Sequence, residues 1–261
     1  MKSIEFPLSE FSLSEFPQLE FSQSELPPVV MQTSGGASAF FRKVWAVARK
    51  DLQAEWRTKE VMGTMATFSM LAAIILGLAF DLRVPQSSMI APGVLWVSVL
   101  FTGMLALQRS FGPEADRGSL SALLLAPVDR SAIYFGKISA SLIFILTTEF
   151  LLLPVMTVIF DVNLFRLWTV VALIMGTVGY VSAGVMFSAL TANTRSRETL
   201  LPVLLLPVIV PLFMAGIGVT NQVLDGRSFA DFRHWLGMLA AYDFIFIIVA
   251  YLIFDLIWEE G

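Results

Sequence analysis

The chain has 261 residues, of which 56% are hydrophobic and only 15% are charged, and its mean hydropathy is +0.76. Soluble domains carry about 25% charged residues, so this composition excludes a water-soluble globule. The absence of cysteine excludes disulfides, thiolate metal sites and cysteine nucleophiles. The formal net charge of -4 comes from an acidic N-terminus and therefore does not predict a nucleic-acid partner.

A Glu-Phe repeat occupies the N-terminus. A glutamate recurs every five residues from Glu5 to Glu25, followed by Phe in four copies and by Leu in the last. A period of five fits neither a helix nor a strand, and the prolines in the segment remove backbone donors. We predict that residues 1–36 form a disordered low-complexity tail. A short docking motif for a partner is the alternative.

Residues 40–60 combine apolar side chains at helical spacing with six lysines and arginines. Two tryptophans, Trp45 and Trp56, are among the apolar positions. This pattern is typical of an amphipathic helix in the headgroup layer of a membrane. We predict a cytoplasmic interfacial helix over residues 40–60, and an ordinary surface helix is the alternative.

Six apolar stretches follow, each long enough to cross a hydrocarbon core of about 30 Å. They are Val61–Phe80, Met89–Gln108, Ile138–Phe160, Leu167–Thr194, Thr199–Leu224 and Trp235–Ile257. The sequence therefore predicts an all-α membrane protein with six transmembrane helices over residues 61–258. With the N-terminus inside, twelve lysines and arginines lie on the cytoplasmic side and four on the opposite side, which predicts N-in and C-in topology.

The stretch between the second and third spans, residues 109–137, is charged at both ends and has a short apolar core closed by Pro127. That core is too short to cross a membrane. We predict a cytoplasmic coupling helix that fits a groove of an ATPase, and packing against its own bundle is the alternative. The predicted contact residues are Glu114, Asp116, Arg117, Gly118, Leu120, Leu123 and Leu124.

No enzymatic motif is evident. A P-loop needs the pattern G-x-x-x-x-G-K-[ST], and Gly112 to Gly118 has neither the spacing nor the lysine. We therefore predict a non-catalytic subunit whose ATP hydrolysis takes place in a separate chain. His234, the only histidine, lies at the outer mouth of the sixth span, where solvation is more common than haem ligation. No metal site is predicted.

Two carboxyl groups lie within the predicted spans. Glu149 and Asp243 are candidate functional residues, because an ionisable group is costly inside a membrane. Neutral acids hydrogen-bonded within the bundle are the alternative. An ion-coupled carrier would use both groups, but residues 61–160 and 167–257 show none of the internal similarity that marks many such carriers.

Prolines and glycines mark two of the spans. In the fifth span, three prolines predict a kinked or broken helix, because each removes one backbone hydrogen bond. In the fourth span, small residues predict close helix packing. The residues are Pro202, Pro207 and Pro211 in the fifth span and Gly176 and Gly179 in the fourth.

Several stretches resemble the CcmB family, the permease subunit of the cytochrome c maturation ABC system. They are IAPGVLWV at 90–97, LALQRSF at 105–111, Gly118–Leu120 and Leu123–Pro127. The resemblance implies an ABC-2-like permease of the bacterial inner membrane, with a CcmA-like ATPase and CcmC-like and CcmD-like membrane subunits as partners. A haem chaperone is then an indirect partner. Haem is implied as a transported or handled ligand and not as a bound cofactor.

The resemblance leaves the coupled step open between haem export and release of a haem-loaded chaperone. Two other interpretations share the predicted architecture. One is an ABC permease for a different substrate, and the other is a non-transporting membrane scaffold for cytochrome assembly.

Overall fold

The computed structural model describes residues 37–80, 87–112, 114, 129–192, 194 and 196–257. These residues form seven helices and no strand. The helices are α1 Ala37–Thr58, α2 Glu60–Ala79, α3 Ser87–Gln108, α4 Arg130–Phe160, α5 Leu167–Thr191, α6 Arg197–Leu224 and α7 Phe229–Ile257. Six of them, α2 to α7, are long and apolar enough to cross a membrane. The predicted all-α membrane fold with six spans is confirmed.

Two predicted segments lie outside the described residues. They are the tail over residues 1–36 and the apolar core of the predicted coupling helix, which falls within residues 115–128.

Helix α4 begins earlier than the hydropathy pattern predicts. The predicted third span starts at Ile138, whereas the helix starts at Arg130, so residues 130–137 are helical and not part of a loop. The added turns are packed into the bundle: Tyr134 is fully buried, and its hydroxyl donates to the Ser182 carbonyl at 2.9 Å. Assigning these residues to a loop was wrong because Lys137 interrupts the apolar run without ending the helix.

Helix α1 packs along the first turns of α4. A Cβ atom at Gly136 would lie 2.6 Å from the Cβ of Val47, so the missing side chain lets the two helices touch. Ala48 is buried at this contact, and the ring of Phe40 lies edge-on to Phe135 with centroids 6.2 Å apart. The opposite side of α1 leaves Phe41, Trp45 and Trp56 exposed. Its location at a membrane surface stays a prediction.

A single residue, Lys59, connects α1 to α2. Lys59 has a φ of 52° between the last residue of α1 and the first residue of α2. Buried Glu55 accepts a hydrogen bond from the Met62 amide at 2.8 Å. The first amides of a helix have no partner within the helix, so this contact satisfies one of them and fixes the direction in which α2 leaves α1.

Helix α5 forms the centre of the bundle and contacts α3, α4, α6 and α7. Against α3, the ring of Tyr180 occupies the space beside Gly103, and the Leu107 side chain lies against Gly184. Helices inside lipid gain little from the hydrophobic effect, so close approach at small residues is a main source of packing energy. The glycines therefore fix the position of α3 on α5.

Trp96 is the largest side chain buried in this interface. Its indole lies between Gly176 of α5 and Gly216 of α6, where a Cβ atom would approach within 2.3 Å and 2.2 Å of the ring. The indole Nε1 donates to Thr220 Oγ at 3.1 Å, and the Thr220 hydroxyl donates to the Gly216 carbonyl at 2.8 Å. The indole is thus enclosed sterically and has its one donor satisfied.

Helix α6 runs from Arg197 to Leu224 without interruption through Pro202, Pro207 and Pro211. The alternative of a broken helix is therefore wrong, and a kink stays a prediction. Neighbouring helices can compensate for the backbone bonds that proline removes from a membrane helix.

The start of α1 and the last turns of α7 lie at the same end of the bundle. Both reach Phe135, whose ring centroid is 6.2 Å from that of Phe40 and 6.3 Å from that of Tyr251. We call this the α1 end. At the opposite end, Arg166 donates to the Val223 carbonyl, and Trp168 packs on Phe229 and Phe232.

The glycine beside Trp96 gives a stability prediction. Gly216→Ala should lower the unfolding free energy by about 1–3 kcal/mol, because overpacking forces the indole out of its site. Thermal unfolding in detergent measures the change. Gly237→Ala is the matched control, since no atom lies within 4 Å of a Cβ there, and it should be neutral or slightly stabilising. Equal losses in both variants would contradict the prediction.

Candidate functional site

Charged residues of the α1 end converge on the segment that follows α3. Buried Lys137 of α4 is only 2% exposed, and its Nζ donates to the Ser110 carbonyl at 2.6 Å and to Glu114 Oε1 at 2.8 Å. Its third contact is Asp51 Oδ2 of α1 at 3.0 Å. An ammonium group has three donors. All three are therefore satisfied, and the contacts join α1, α4 and the chain leaving α3.

A second lysine reaches the same glutamate. Lys50 Nζ lies 2.7 Å from Glu114 Oε1 and 3.5 Å from Asp51 Oδ1. Burial alone would lower the pKa of Lys50, but the hydrogen bond to Glu114 and the charge of Asp51 raise it above the ordinary 10.5. Burial alone would raise the pKa of Glu114, but Lys137 and Lys50 lower it below the ordinary 4.5. Both groups are therefore charged at neutral pH.

A third lysine, Lys43, lies two helical turns before Lys50 on α1 and forms a further ion pair. Lys43 Nζ donates to Asp129 Oδ2 at 2.8 Å. Asp129 directly precedes α4 and follows residues 115–128, whereas Glu114 directly precedes them. Lys43 and Lys50 are seven residues apart, so they share one face of α1 about 10 Å apart along its axis. The loop clamp is the name we give to this group: Lys43, Lys50, Asp51, Glu114, Asp129 and Lys137.

Helices α2 and α6 also contact the chain between α3 and Glu114. Arg197 Nη1 donates to the Gly112 carbonyl at 3.3 Å, and Gln108 Nε2 donates to the Glu198 carbonyl at 3.4 Å. An exposed ion pair, Arg109 with Glu60 at 2.9 Å, connects it to the start of α2. The first residues after α3 therefore contact α1, α2, α4 and α6.

A cavity of about 380 Å³ lies beside the loop clamp. Its wall is charged near Lys137 and apolar near Phe144. The Ser110 hydroxyl lines it and is buried without a hydrogen-bond partner among the described residues. Across the described part of the chain, no group of three or more His, Cys, Asp or Glu residues could hold a metal ion.

Glu149 is buried at the contact between α4 and α5. Its Oε1 lies 2.7 Å from Thr177 Oγ, and the same hydroxyl lies 2.8 Å from the Leu173 carbonyl. A hydroxyl has one hydrogen, so both contacts are fully satisfied when Thr177 donates to Leu173 and a protonated Glu149 donates to Thr177. This geometry favours the neutral, hydrogen-bonded alternative for Glu149.

Asp243 lies elsewhere. Its Oδ1 occupies the space beside Gly179, 2.3 Å from where a Cβ atom would be. Thr177, the partner of Glu149, and Gly179 are two residues apart on α5, so they point about 200° apart around the helix. The two acids are therefore on opposite faces of α5 and do not form one site. A carrier mechanism that needs paired carboxylates has no support in this geometry.

The structure describes some of the predicted site residues and not others. Glu114 is described and is a member of the loop clamp, whereas the other predicted coupling residues lie outside the described part of the chain. Those are Asp116, Arg117, Gly118, Leu120, Leu123 and Leu124. The structure separates Glu149 from Asp243, and it places Gly176 against Trp96 and Gly179 against α7.

Sequence reasoning missed the other five members of the loop clamp as site residues: Lys43, Lys50, Asp51, Asp129 and Lys137. A signal for Asp51 was present, because it continues the helical stripe of Val44, Val47 and Ala48 that packs on α4. An acid on the buried stripe of an amphipathic helix needs a cation opposite it. The partner was not identifiable from the sequence.

The hydrogen bonding of Glu149 gives a testable prediction. Glu149→Gln should leave the thermal stability within about 0.5 kcal/mol, because the amide keeps the shape and the hydrogen-bonding capacity of a neutral carboxyl. Glu149→Ala should cost about 2 kcal/mol or more through the cavity that it leaves. Unfolding in detergent measures both. A Glu149→Gln protein that is stable but inactive in cells would instead assign a proton-transfer role to Glu149.

Known proteins are similar to this sequence over most of its length. The family model described as CcmB protein matches residues 42–255. Heme exporter protein B of Rhodobacter capsulatus is 32% identical over 166 residues, which cover 59% of this chain and 76% of the relative. Heme exporter protein B of Paracoccus denitrificans is 28% identical over 197 residues, covering 75% and 89%. The protein of that name from Pseudomonas aeruginosa is 26% identical over 190 residues, covering 71% and 83%. The family match spans far more than half of the chain, so the chain belongs to the CcmB family.

Proposed function

We propose that the chain is the membrane-spanning subunit of an ABC transporter complex that acts in cytochrome c biogenesis. A separate ATPase hydrolyses ATP, and this subunit uses the resulting movement to export haem or to release a haem-loaded chaperone. Support comes from membership of the CcmB family and from relatives named heme exporter protein B. The sequence given has no P-loop, which supports an ATPase in a separate chain.

The observation that carries this proposal is the loop clamp. A coupling segment must transmit a push from the ATPase to the spans, and it can do so only if its ends are fixed to them. Glu114 and Asp129 flank residues 115–128, and each is ion-paired to α1. Glu114 is also paired to buried Lys137 of α4. Both ends of the predicted segment are thus fixed to helices of the bundle.

The chemistry of residues 115–128 suits an ATPase groove. Leu120, Leu123 and Leu124 supply apolar area, and the neighbouring Asp116 and Arg117 supply orientation more than affinity. Burying a leucine contributes roughly 1.5–3 kcal/mol before ordering costs. The partners follow from the family: a CcmA-like ATPase at this segment and CcmC-like and CcmD-like subunits in the membrane.

The proposed location is the bacterial inner membrane, with the α1 end in the cytoplasm. Described lysines and arginines are concentrated at this end: Arg42, Lys43, Arg49, Lys50, Arg57, Lys59, Arg109, Arg130, Lys137 and Arg197. The described part of the opposite end has Arg166, Arg227 and Arg233. Positive residues are retained on the cytoplasmic side of a membrane.

The orientation can be tested with reporter fusions. A reporter active only in the cytoplasm should be active after Gly261 and inactive after Asn163, because these positions follow an even and an odd number of spans. A reporter active only in the periplasm should give the reverse pattern. A periplasmic signal at Gly261 would contradict the orientation and would remove the ATPase contact from the α1 end.

The proposed function is tested by a double substitution, Leu120→Asp with Leu124→Asp. This variant should lose most of its bound ATPase, because two charges cannot enter an apolar groove. The protein should still accumulate in membranes, since no span is changed. The measurement is the ratio of ATPase to permease after co-purification, together with cytochrome c yield in cells.

The matched control is Leu8→Asp with Leu13→Asp, which adds the same charge to the N-terminal repeat. That variant should keep the ATPase ratio of the unmodified protein. If the Leu120 and Leu124 variant also keeps it, the segment does not hold the ATPase. A permease that retains no ATPase in its unmodified form would contradict the ABC assignment itself.

A further inference from the structure

The loop clamp connects the predicted coupling segment to three parts of the bundle at once. Each end of residues 115–128 is paired to one lysine of α1, and the two lysines lie on one face of that helix. Glu114 and Asp51 also meet at Lys137, so α1 is joined to α4 through a buried cation. A displacement of either end of the segment must therefore move α1 or break an ion pair.

The two halves of the clamp differ in strength. Lys43 and Asp129 have side chains that are 34% and 59% exposed, and exposed pairs of this kind contribute little. Lys137 is 2% exposed, and the side chains of Glu114 and Asp51 are 10% and 18% exposed. Removing one partner of a buried pair leaves an uncompensated charge, which is strongly destabilising. The buried half therefore fixes Glu114, and the exposed half gives Asp129 more freedom.

The charges around Glu114 balance. Lys50, whose side chain is 52% exposed, and Lys137 carry two positive charges, and Asp51 and Glu114 carry two negative charges. A cavity of about 380 Å³ adjoins this group.

We infer that the residues of the loop clamp are positioning residues for energy coupling, and that they make α1, α4 and the two ends of the coupling segment, Glu114 and Asp129, move together. This inference rests on the proposed function. Helix α1 then transmits the movement of the ATPase to α4. Loss of the clamp should leave a complex that binds its ATPase and hydrolyses ATP but yields little product.

The test replaces the buried charges without leaving one unpaired. Lys137→Met with Asp51→Asn and Glu114→Gln removes the three buried charges together. Lys50 loses both of its partners in this variant, but its side chain is 52% exposed, so water can solvate its charge. The complex is purified with its ATPase and reconstituted, and its ATPase rate and retained ATPase are measured. Cytochrome c yield in cells is measured beside them. The cytochrome c yield should fall on the order of tenfold, while the retained ATPase and the ATPase rate stay close to those of the unmodified complex.

A second variant protects the test against misfolding. Lys43→Gln with Lys50→Gln removes two partly exposed lysines and leaves the contacts of Lys137 intact, so this protein should accumulate normally. It should lose part of the coupling. The matched control is Arg42→Gln with Arg49→Gln, which removes two exposed arginines from the same helix outside the clamp, and it should keep full coupling.

The outcomes separate the two levels of the argument. Full coupling in the neutral triple variant would show that the cluster only stabilises the fold and would overturn the inference. If the triple variant does not accumulate, full coupling in the Lys43 and Lys50 variant would overturn it equally. In both cases the proposed function stands as long as the unmodified complex retains its ATPase. A complex without ATPase binding would contradict the proposed function instead.

Discussion

The α1 end of the bundle is organised by one buried ammonium group. Removing a cation from water costs several kcal/mol even after the surroundings relax, so Lys137 is stable in its position only if every donor has an acceptor. The three acceptors come from α1, from the backbone after α3 and from Glu114. This requirement fixes where α1 crosses α4 and where the chain leaves α3. The adjacent contact of Gly136 with Val47 lets α1 and α4 approach closely enough for these ion pairs to form.

The opposite end of the bundle has a different kind of contact. There Trp168 packs against Phe229 and Phe232, and Arg166 donates to the end of α6. Aromatic packing does little to orient a partner from another chain. An ion pair orients its partner, and it can be exchanged for an ion pair with that chain. The asymmetry agrees with the proposal that the ATPase binds at the α1 end and not at the opposite end.

The six spans could be predicted because a bilayer selects long apolar runs, and such runs are visible in the sequence. The start of α4 at Arg130 could not be predicted, because the charge of Lys137 makes the span seem to begin at Ile138. The ion pairs between α1 and the ends of the coupling segment were equally hidden: Lys50 and Glu114 are 64 residues apart, and Lys43 and Asp129 are 86 apart. Nothing in a single sequence links such positions. The continuity of α6 through its three prolines could not be predicted either. Neighbouring helices can compensate for the backbone hydrogen bonds that proline removes, and these neighbours are not visible in the local sequence.

A continuous stripe of contacts connects the clamp with the centre of the membrane. Along one face of α3, the Leu107 carbonyl accepts from Ser188, the Leu100 carbonyl accepts from Tyr180, and Trp96 donates to Thr220 of α6. Positions 96, 100, 103 and 107 share this face because their spacing follows the helical repeat. Continuity of contacts does not itself demonstrate coupling. It does mean that a rigid α3 cannot be tilted by the clamp without disturbing the Trp96 site, where α3, α5 and α6 meet. Movement of the coupling segment is therefore more easily accommodated by α1, which packs mainly on α4, than by α3, which packs on α2, α4, α5 and α6.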